Sequence, residues 1–446
     1  MAPSFPIPSI DWLHFWEDLT HPLTIATAVG TITILHLTLA RALRWRRYYS
    51  IHREYEVKWK EGRLTPGEAQ RIMQTSCVYD MPWLLIRALA FALFKTYTLP
   101  SGSKLLLSTR ELGSQEKVAK RYADTEILIQ TWIGCPLSGF HSTTGAPSSS
   151  VPAEDPRAAL AIARTNFLHS KYNIPNHQFL YTLGLFILEP PAWAKRWGWR
   201  ELSDMEQDAY LIFWTDIGQK MGIKDIPPTL EELKEWCETY AEAEMAPDEA
   251  NHKLSEYTMD EILYPVPRAF GLREFGERAV ICLLPDRVRE AMLLPAQPRW
   301  LHWFVNSVFT SIWLYQRYLC FPRHFMDYSG FPINGNLPKP DKNGDIRARP
   351  RVYRSIPWYK PEPSGFLGRT WEQLLVKVGW HGGVPAVEFL SNGYRIEEVG
   401  PLRFQNLGIE ETLHNAAKIQ GCPIAKPWAP TTYGPSAACP VAHGKP

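Results

Sequence analysis

Ser203–Gly222, SDMEQDAYLIFWTDIGQKMG, carries the start, face and stop of one helix within twenty residues. Ser203-x-x-Glu206 is a capping box, in which each side chain satisfies the other residue's backbone N–H. Tyr210, Phe213, Trp214, Ile217 and Met221 then recur at three- and four-residue spacing, and Gly222 suits the C-terminal cap. The same punctuation repeats outward. Thr229-x-x-Glu232 opens another helix, and Thr65-Pro66-Gly67-Glu68 is a box with Pro at the first helical position, leading toward Cys77. Asp155-Pro156 caps a helix reaching about Tyr172. Lys117–Ile133 places Val118, Tyr122, Thr125 and Ile129 on one face. Met81–Tyr97 is apolar but interrupted by Arg87 and Lys95, so it reads as a buried or membrane-surface helix and not as a span. Leu301–Leu319 is a further apolar, aromatic-rich helix. Residues 142–155 form a polar Ser/Thr/Pro/Gly linker, and 322–363 read as irregular. Strand signals are few, so the fold class expected is all-α.

Ahead of this body lies Leu23–Ala40, LTIATAVGTITILHLTLA, with no Lys, Arg, Asp or Glu. At 1.5 Å per residue, about 18 residues cross most of a ~30 Å hydrocarbon core. Its threonines can bond back to preceding carbonyls, and His36 lies near its end. No Lys or Arg precedes it, whereas Arg41, Arg44, Arg46, Arg47 and Arg53 follow. That asymmetry places the C-terminal side in the cytosol. A signal peptide would need a positive leader and a shorter apolar run. The organisation expected is a lumenal stretch 1–22, a transmembrane anchor 23–41, a cytosolic helical domain 42–420 and a Pro-rich tail 421–446.

Net charge is only +2 and the arginines gather beside the anchor, which points to anionic headgroups and away from nucleic acid. The seven cysteines are scattered, without CxxC, and no Asn-x-Ser/Thr sequon occurs. Both fit a reducing cytosolic face. There is no phosphate-binding loop, GxGxxG, GxSxG or HExxH, and none of the 13 histidines forms an HxxxH pair. Cys422-Pro423 and Cys439-Pro440 do not sit in the Gly-flanked frame of a haem-thiolate loop.

In Ala158–Tyr172, AALAIARTNFLHSKY, His169 shares a face with Ala161, Ile162, Thr165 and Tyr172. Small residues one and two turns before a His leave room for a flat cofactor, and His is a common ligand of haem iron. A satisfied core histidine gives the same pattern.

The residues that follow, with LYTL (180–183), GWREL (198–202), FWTDIGQKMGI (213–223) and IPPTLEEL (226–233), resemble the fungal members of the latex-clearing, or rubber oxygenase, catalytic-domain family. Those members include anchored, ER-bound oxygenases of mycophenolic acid biosynthesis. The likeness runs from about residue 100 to 250. It implies a helical fold holding one haem b, with O₂ as co-substrate, and oxidative cleavage of a C=C bond in the farnesyl-type chain of a meroterpenoid. It also implies the ER membrane and a prenylated aromatic substrate. By the resemblance, His169 takes the position of the proximal iron ligand. His177, after Pro175 in an expected loop, is the competing candidate. Arg121-x-x-Asp124-Thr125 matches a distal Arg/Lys/Thr set, with Asp124 where Lys is expected. Arg121 would then stabilise developing negative charge, Thr125 hydrogen-bond the bound oxygen, and Asp124 relay a proton; an ordinary Arg121–Asp124 ion pair is the plainer alternative. Met81–Tyr97 and Leu301–Leu319 would line a channel for the chain. Two other classes stay open: a non-haem metal oxygenase using His169, His177 and Glu126, and a non-catalytic ER scaffold.

Overall fold

The computed structural model describes residues 21–112, 114–140, 152–267, 270–323, 331–342, 344–424 and 428. Among them are 15 α-helices, a few π and 3-10 turns and no β-strand, with one isolated bridge between Ala348 and Tyr394. The all-α class is therefore correct. Most of the expected 142–155 linker and of the tail lies outside the described residues.

The first helix, α1 (Pro22–Lys60), is one unbroken run of 39 residues, longer than the apolar segment alone. No residue from Leu23 to Leu39 is buried, and the hydroxyls of Thr27, Thr33 and Thr38 donate to the carbonyls four residues before them. Among the described residues, α1 is the one single helix long and apolar enough to cross a membrane. Its charged half continues into the body, where Arg44 and Tyr55 are buried.

Local capping fixes the helices that follow. In α2 (Pro66–Gln74) the Thr65/Glu68 box is complete, and a π turn (Thr75–Asp80) leads into α3 (Pro82–Thr96) at an angle of 109°. The helices α4 (Pro100–Ser108) and α5 (Gln115–Gly134) come next. In α6 (Arg157–His169), Asp155 accepts from the Arg157 backbone N–H at 3.2 Å and grips its guanidinium at 2.7 and 2.8 Å. Then come α7 (Asn176–Trp197), with Pro190 and Pro191 inside it, and α8 (Asp204–Lys220), opened by the complete Ser203/Glu206 box. Gly222 follows α8 with φ of +79°, a left-handed value that costs glycine little. Farther on are α9 (Leu230–Glu244), α10 (Glu249–Ile262), α11 (Leu272–Ile281), α12 (Asp286–Ala291) and α13 (Arg299–Leu314), the last extended by a π turn to Leu319. The chain ends its helices with α14 (Gly365–Lys377) and α15 (Ile409–Gln420).

Two polar clamps hold the core. Buried Arg200 bonds Asp80 at 2.9 and 3.0 Å and Glu206 at 2.7 Å, tying the π turn to the start of α8. Arg164 of α6 donates to the carbonyls of Val399, Phe404 and Leu407, pinning the 399–407 segment across that helix. Core packing runs through α3 on α7, α2 on α8, and α6 between α5 and α15.

Three expectations change. His177 is not in a loop: it lies in the first turn of α7, exposed, with its ring 5.6 Å from Tyr240. The Leu301–Leu319 helix forms, but only Leu301 and Val305 are buried, so most of its apolar surface faces outward. Ala161 and Ile162 are buried in the core, so the room expected beside them is filled by protein; the open space begins one turn later.

Candidate active site

A cavity of about 300 Å³, mainly apolar, opens between α3, α5, α6, α7 and α8. Leu89 and Leu93 come from α3, Phe179 and Phe186 from α7, and Trp214 and Ile217 from α8. Gly400, Pro401 and Phe404, held down by Arg164, close one side. All four candidate site residues, Arg121, Asp124, Thr125 and His169, line this one space. The Met81–Tyr97 helix contributes to the wall as expected. Residues 301–319 contribute nothing to it.

His169 ends α6, where the helix hands over to Ser170. Its ring lies 5.3 Å from that of Phe179, and its Nδ1 is enclosed with no hydrogen-bond partner. A buried polar atom left this way costs about 1–3 kcal/mol. Burial, with the nearby charge of Arg121 adding to it, pushes the imidazole down to about 4. The ring is therefore neutral at pH 7, the state in which imidazole donates a lone pair to a metal.

Arg121 faces the same cavity and makes no hydrogen bond or ion pair among the described residues. An Arg121–Asp124 pair does not form. Asp124 instead accepts from Lys120 Nζ at 2.6 and 2.7 Å and from the Tyr359 hydroxyl at 2.7 Å. Lys120 also donates to Tyr359 Oη at 2.8 Å and to the Gly400 carbonyl at 2.9 Å. Burial pushes the Asp124 carboxyl up and the Lys120 ammonium down, and their mutual attraction opposes both shifts. Thr125, next along α5, is half-buried at the cavity.

Of the residues of the non-haem alternative, His169 and Glu126 line this cavity and His177 does not. Glu126 is held by Arg354 at 2.7 Å. No group of three or more His, Cys, Asp or Glu side chains suited to a metal ion occurs among the described residues.

Sequence reading missed Lys120 and Tyr359, whose mutual hydrogen bond joins residues 239 apart. It also missed Arg164, the fully buried guanidinium that shuts the cavity. One signal was present for Lys120: it precedes Asp124 by four residues on a helix.

Residues 163–311 match the model of the family described as ER-bound oxygenase mpaB/B'/Rubber oxygenase, catalytic domain, a span that includes His169. The chain is 28% identical over 439 residues to the ER-bound oxygenase mpaB' of Penicillium brevicompactum, covering 92% of this chain and 93% of that protein. With the ER-bound oxygenase mpaB of Penicillium brevicompactum it shares 27% identity over 381 residues, 80% of each. With the mpaB of Penicillium roqueforti (strain FM164) it shares 32% identity over 292 residues, 61% of this chain and 92% of the relative. Identity at that level, across nearly the whole of a relative, places an all-helical chain with one N-terminal apolar helix: it belongs to the ER-bound oxygenase mpaB/B' and rubber oxygenase catalytic-domain family.

Proposed function

We infer that this chain is a haem-dependent oxygenase, anchored by α1 in the ER membrane with its N-terminus lumenal and its body cytosolic. Its reaction is oxidative cleavage of a C=C bond in the prenyl chain of a meroterpenoid. The observation that carries this reading is the convergence of a neutral His169, one ring nitrogen of which is without a partner, and an unpaired Arg121 on one large apolar cavity. These residues fit a haem: an imidazole available to the iron, apolar walls for a macrocycle, and a cation beside the space left for O₂. When bound, haem iron supplies the O₂ activation that protein side chains cannot.

The chain's own residues do the rest. His169 holds the cofactor at the end of α6. Arg121, bound to no carboxylate by a contact ion pair, stabilises negative charge that builds on oxygen; such fixed donors act strongly in a dry site. Thr125 offers a hydroxyl on the same helix, one residue past Asp124. Asp124 and Lys120 both line the cavity, and Asp124 relays a proton there while Lys120 and Tyr359 hold its carboxylate. The apolar walls accept a prenyl chain and exclude water that would divert reactive intermediates.

The test is an absorption spectrum of the detergent-solubilised full chain, with a pyridine haemochrome assay. A Soret band in the wild type that disappears in His169→Ala is the expected result. An unchanged haem spectrum in that variant would overturn the ligand assignment. Incubation with a prenylated aromatic should release aldehyde or acid fragments; intact substrate, with haem in place, would overturn the reaction.

A further inference from the structure

The outward face of α13 is the largest apolar feature that the site leaves unused. Trp300, Trp303, Phe304, Val308, Leu314 and Tyr315 recur on it at helical spacing and all are exposed, Trp303 at 72%. No acidic residue occurs between Pro298 and Phe321. The patch extends sideways: Phe275 of α11 lies 5.7 Å from Phe304. Exposed apolar surface of this extent marks a contact with something apolar.

What covers it follows from where its end is tied. His36 Nε2, inside the apolar part of α1, bonds the Leu319 carbonyl at 2.9 Å, and its ring lies 4.8 Å from that of Phe321. Arg44 donates to the Cys320 carbonyl at 2.6 and 3.2 Å, and Arg47 donates to that of Arg323. The end of the α13 segment is thus fixed to the last turn of the stretch that spans lipid. An unpartnered aromatic face continuous with a membrane anchor has the bilayer as its neighbour. We propose that α13 and its π turn lie in the lipid–water boundary on the same side as the body, a second membrane contact besides α1. Trp and Tyr suit that boundary, where a ring end is apolar and its polar atom wet. An amphipathic helix of this kind sinks about 5–10 Å, to the junction of headgroups and acyl chains. Phe309 of α13 packs 6.1 Å from Trp83 at the start of α3, so the α3 wall of the cavity is then one helix away from lipid. The proposal rests on the membrane reading of α1.

The experiment uses the full chain with Cys320→Ser and Cys439→Ser, a single cysteine placed at Val29, Trp303, Val308 or Glu235, and an environment-sensitive fluorophore attached there. Glu235, exposed on α9, is the water-facing control. The labelled chains are reconstituted into phosphatidylcholine/phosphatidylserine vesicles carrying nitroxides at shallow or deep acyl positions. The expected result is deep quenching at Val29 and shallow quenching at Trp303 and Val308, several-fold above Glu235. Quenching at Val29 with Trp303 and Val308 equal to Glu235 would overturn the proposal while leaving the anchor in place. No quenching at Val29 either would remove the anchor reading and this contact with it. Disulfide-linked dimers through the Trp303→Cys position, without lipid quenching, would assign the face to a second copy of the chain.

Discussion

Lys120 Nζ sits 2.6 and 2.7 Å from the two carboxylate oxygens of Asp124, and both side chains are almost completely buried beside the cavity. Their ion pair takes up the carboxylate that sequence spacing offered to Arg121, whose charge acts on Asp124 without a contact ion pair. Removing one partner of a buried pair strands the other. Asp124→Asn and Lys120→Met should each cost about 3–5 kcal/mol, and the double variant clearly less than the sum. Denaturant midpoints of the four proteins in detergent check this. Additive losses would mean that the two groups do not act as a pair.

Arg121 is the group whose removal should separate chemistry from cofactor retention. Arg121→Gln keeps length and polarity but withdraws the charge. If that charge stabilises oxygen in the transition state, turnover should fall by about 10²-fold. The Soret intensity should stay, because His169 is untouched. A lost haem spectrum would instead make Arg121 part of the binding site alone.

Acid should weaken the cofactor-free protein through His169. The ring is held neutral in the folded chain down to about pH 4, whereas in the unfolded chain it takes a proton below its usual 6.5. Between those values the unfolded chain binds more protons, so stability falls as pH is lowered; above 6.5 the group has no effect. From pH 7 to 5 the loss is on the order of 2 kcal/mol. Denaturation of the haem-free wild type and His169→Gln at both pH values checks it. The wild type should lose more than the variant, and equal losses would place the acid sensitivity elsewhere.

The parts of this molecule legible in sequence are those whose physics is local. The boxes at Thr65/Glu68 and Ser203/Glu206 close within four residues, and the structure has both. Periodicity located helices but not their surroundings. Ala161 was expected to leave room and is core, while the Leu301–Leu319 helix, expected to line a channel, turns Trp303 and Tyr315 outward. Nothing in a helix's own residues says which neighbour covers it. His177 was misplaced because Pro175 reads as a loop, although proline just before a first turn is compatible with the helix that starts at Asn176. The roles of Tyr359 and Arg164 depend on contacts spanning more than two hundred residues, beyond any local signal, whereas the Lys120–Asp124 pair is local.

Gly184 offers a test of the α7–α9 contact that backs the cavity. A Cβ there would lie 2.3 Å from Cys237 Sγ and 3.5 Å from Leu233, far inside contact distance for sulfur. Its neighbours in sequence, Leu183 and, two residues on, Phe186, form part of the cavity wall. Gly184→Ala must therefore push α9 outward or tilt α7. The gain in helix propensity, about 1 kcal/mol, opposes an overpacking cost of about 1–3 kcal/mol. The net result should be destabilisation together with a looser cavity, seen as weaker haem retention. Cys237→Ala removes the obstructing sulfur, so adding it to Gly184→Ala should restore both the midpoint and haem retention, even though Cys237→Ala alone is mildly destabilising. Rescue of this sign comes only from a direct steric contact. If the double variant were worse than either single one, the two helices would not meet at these residues.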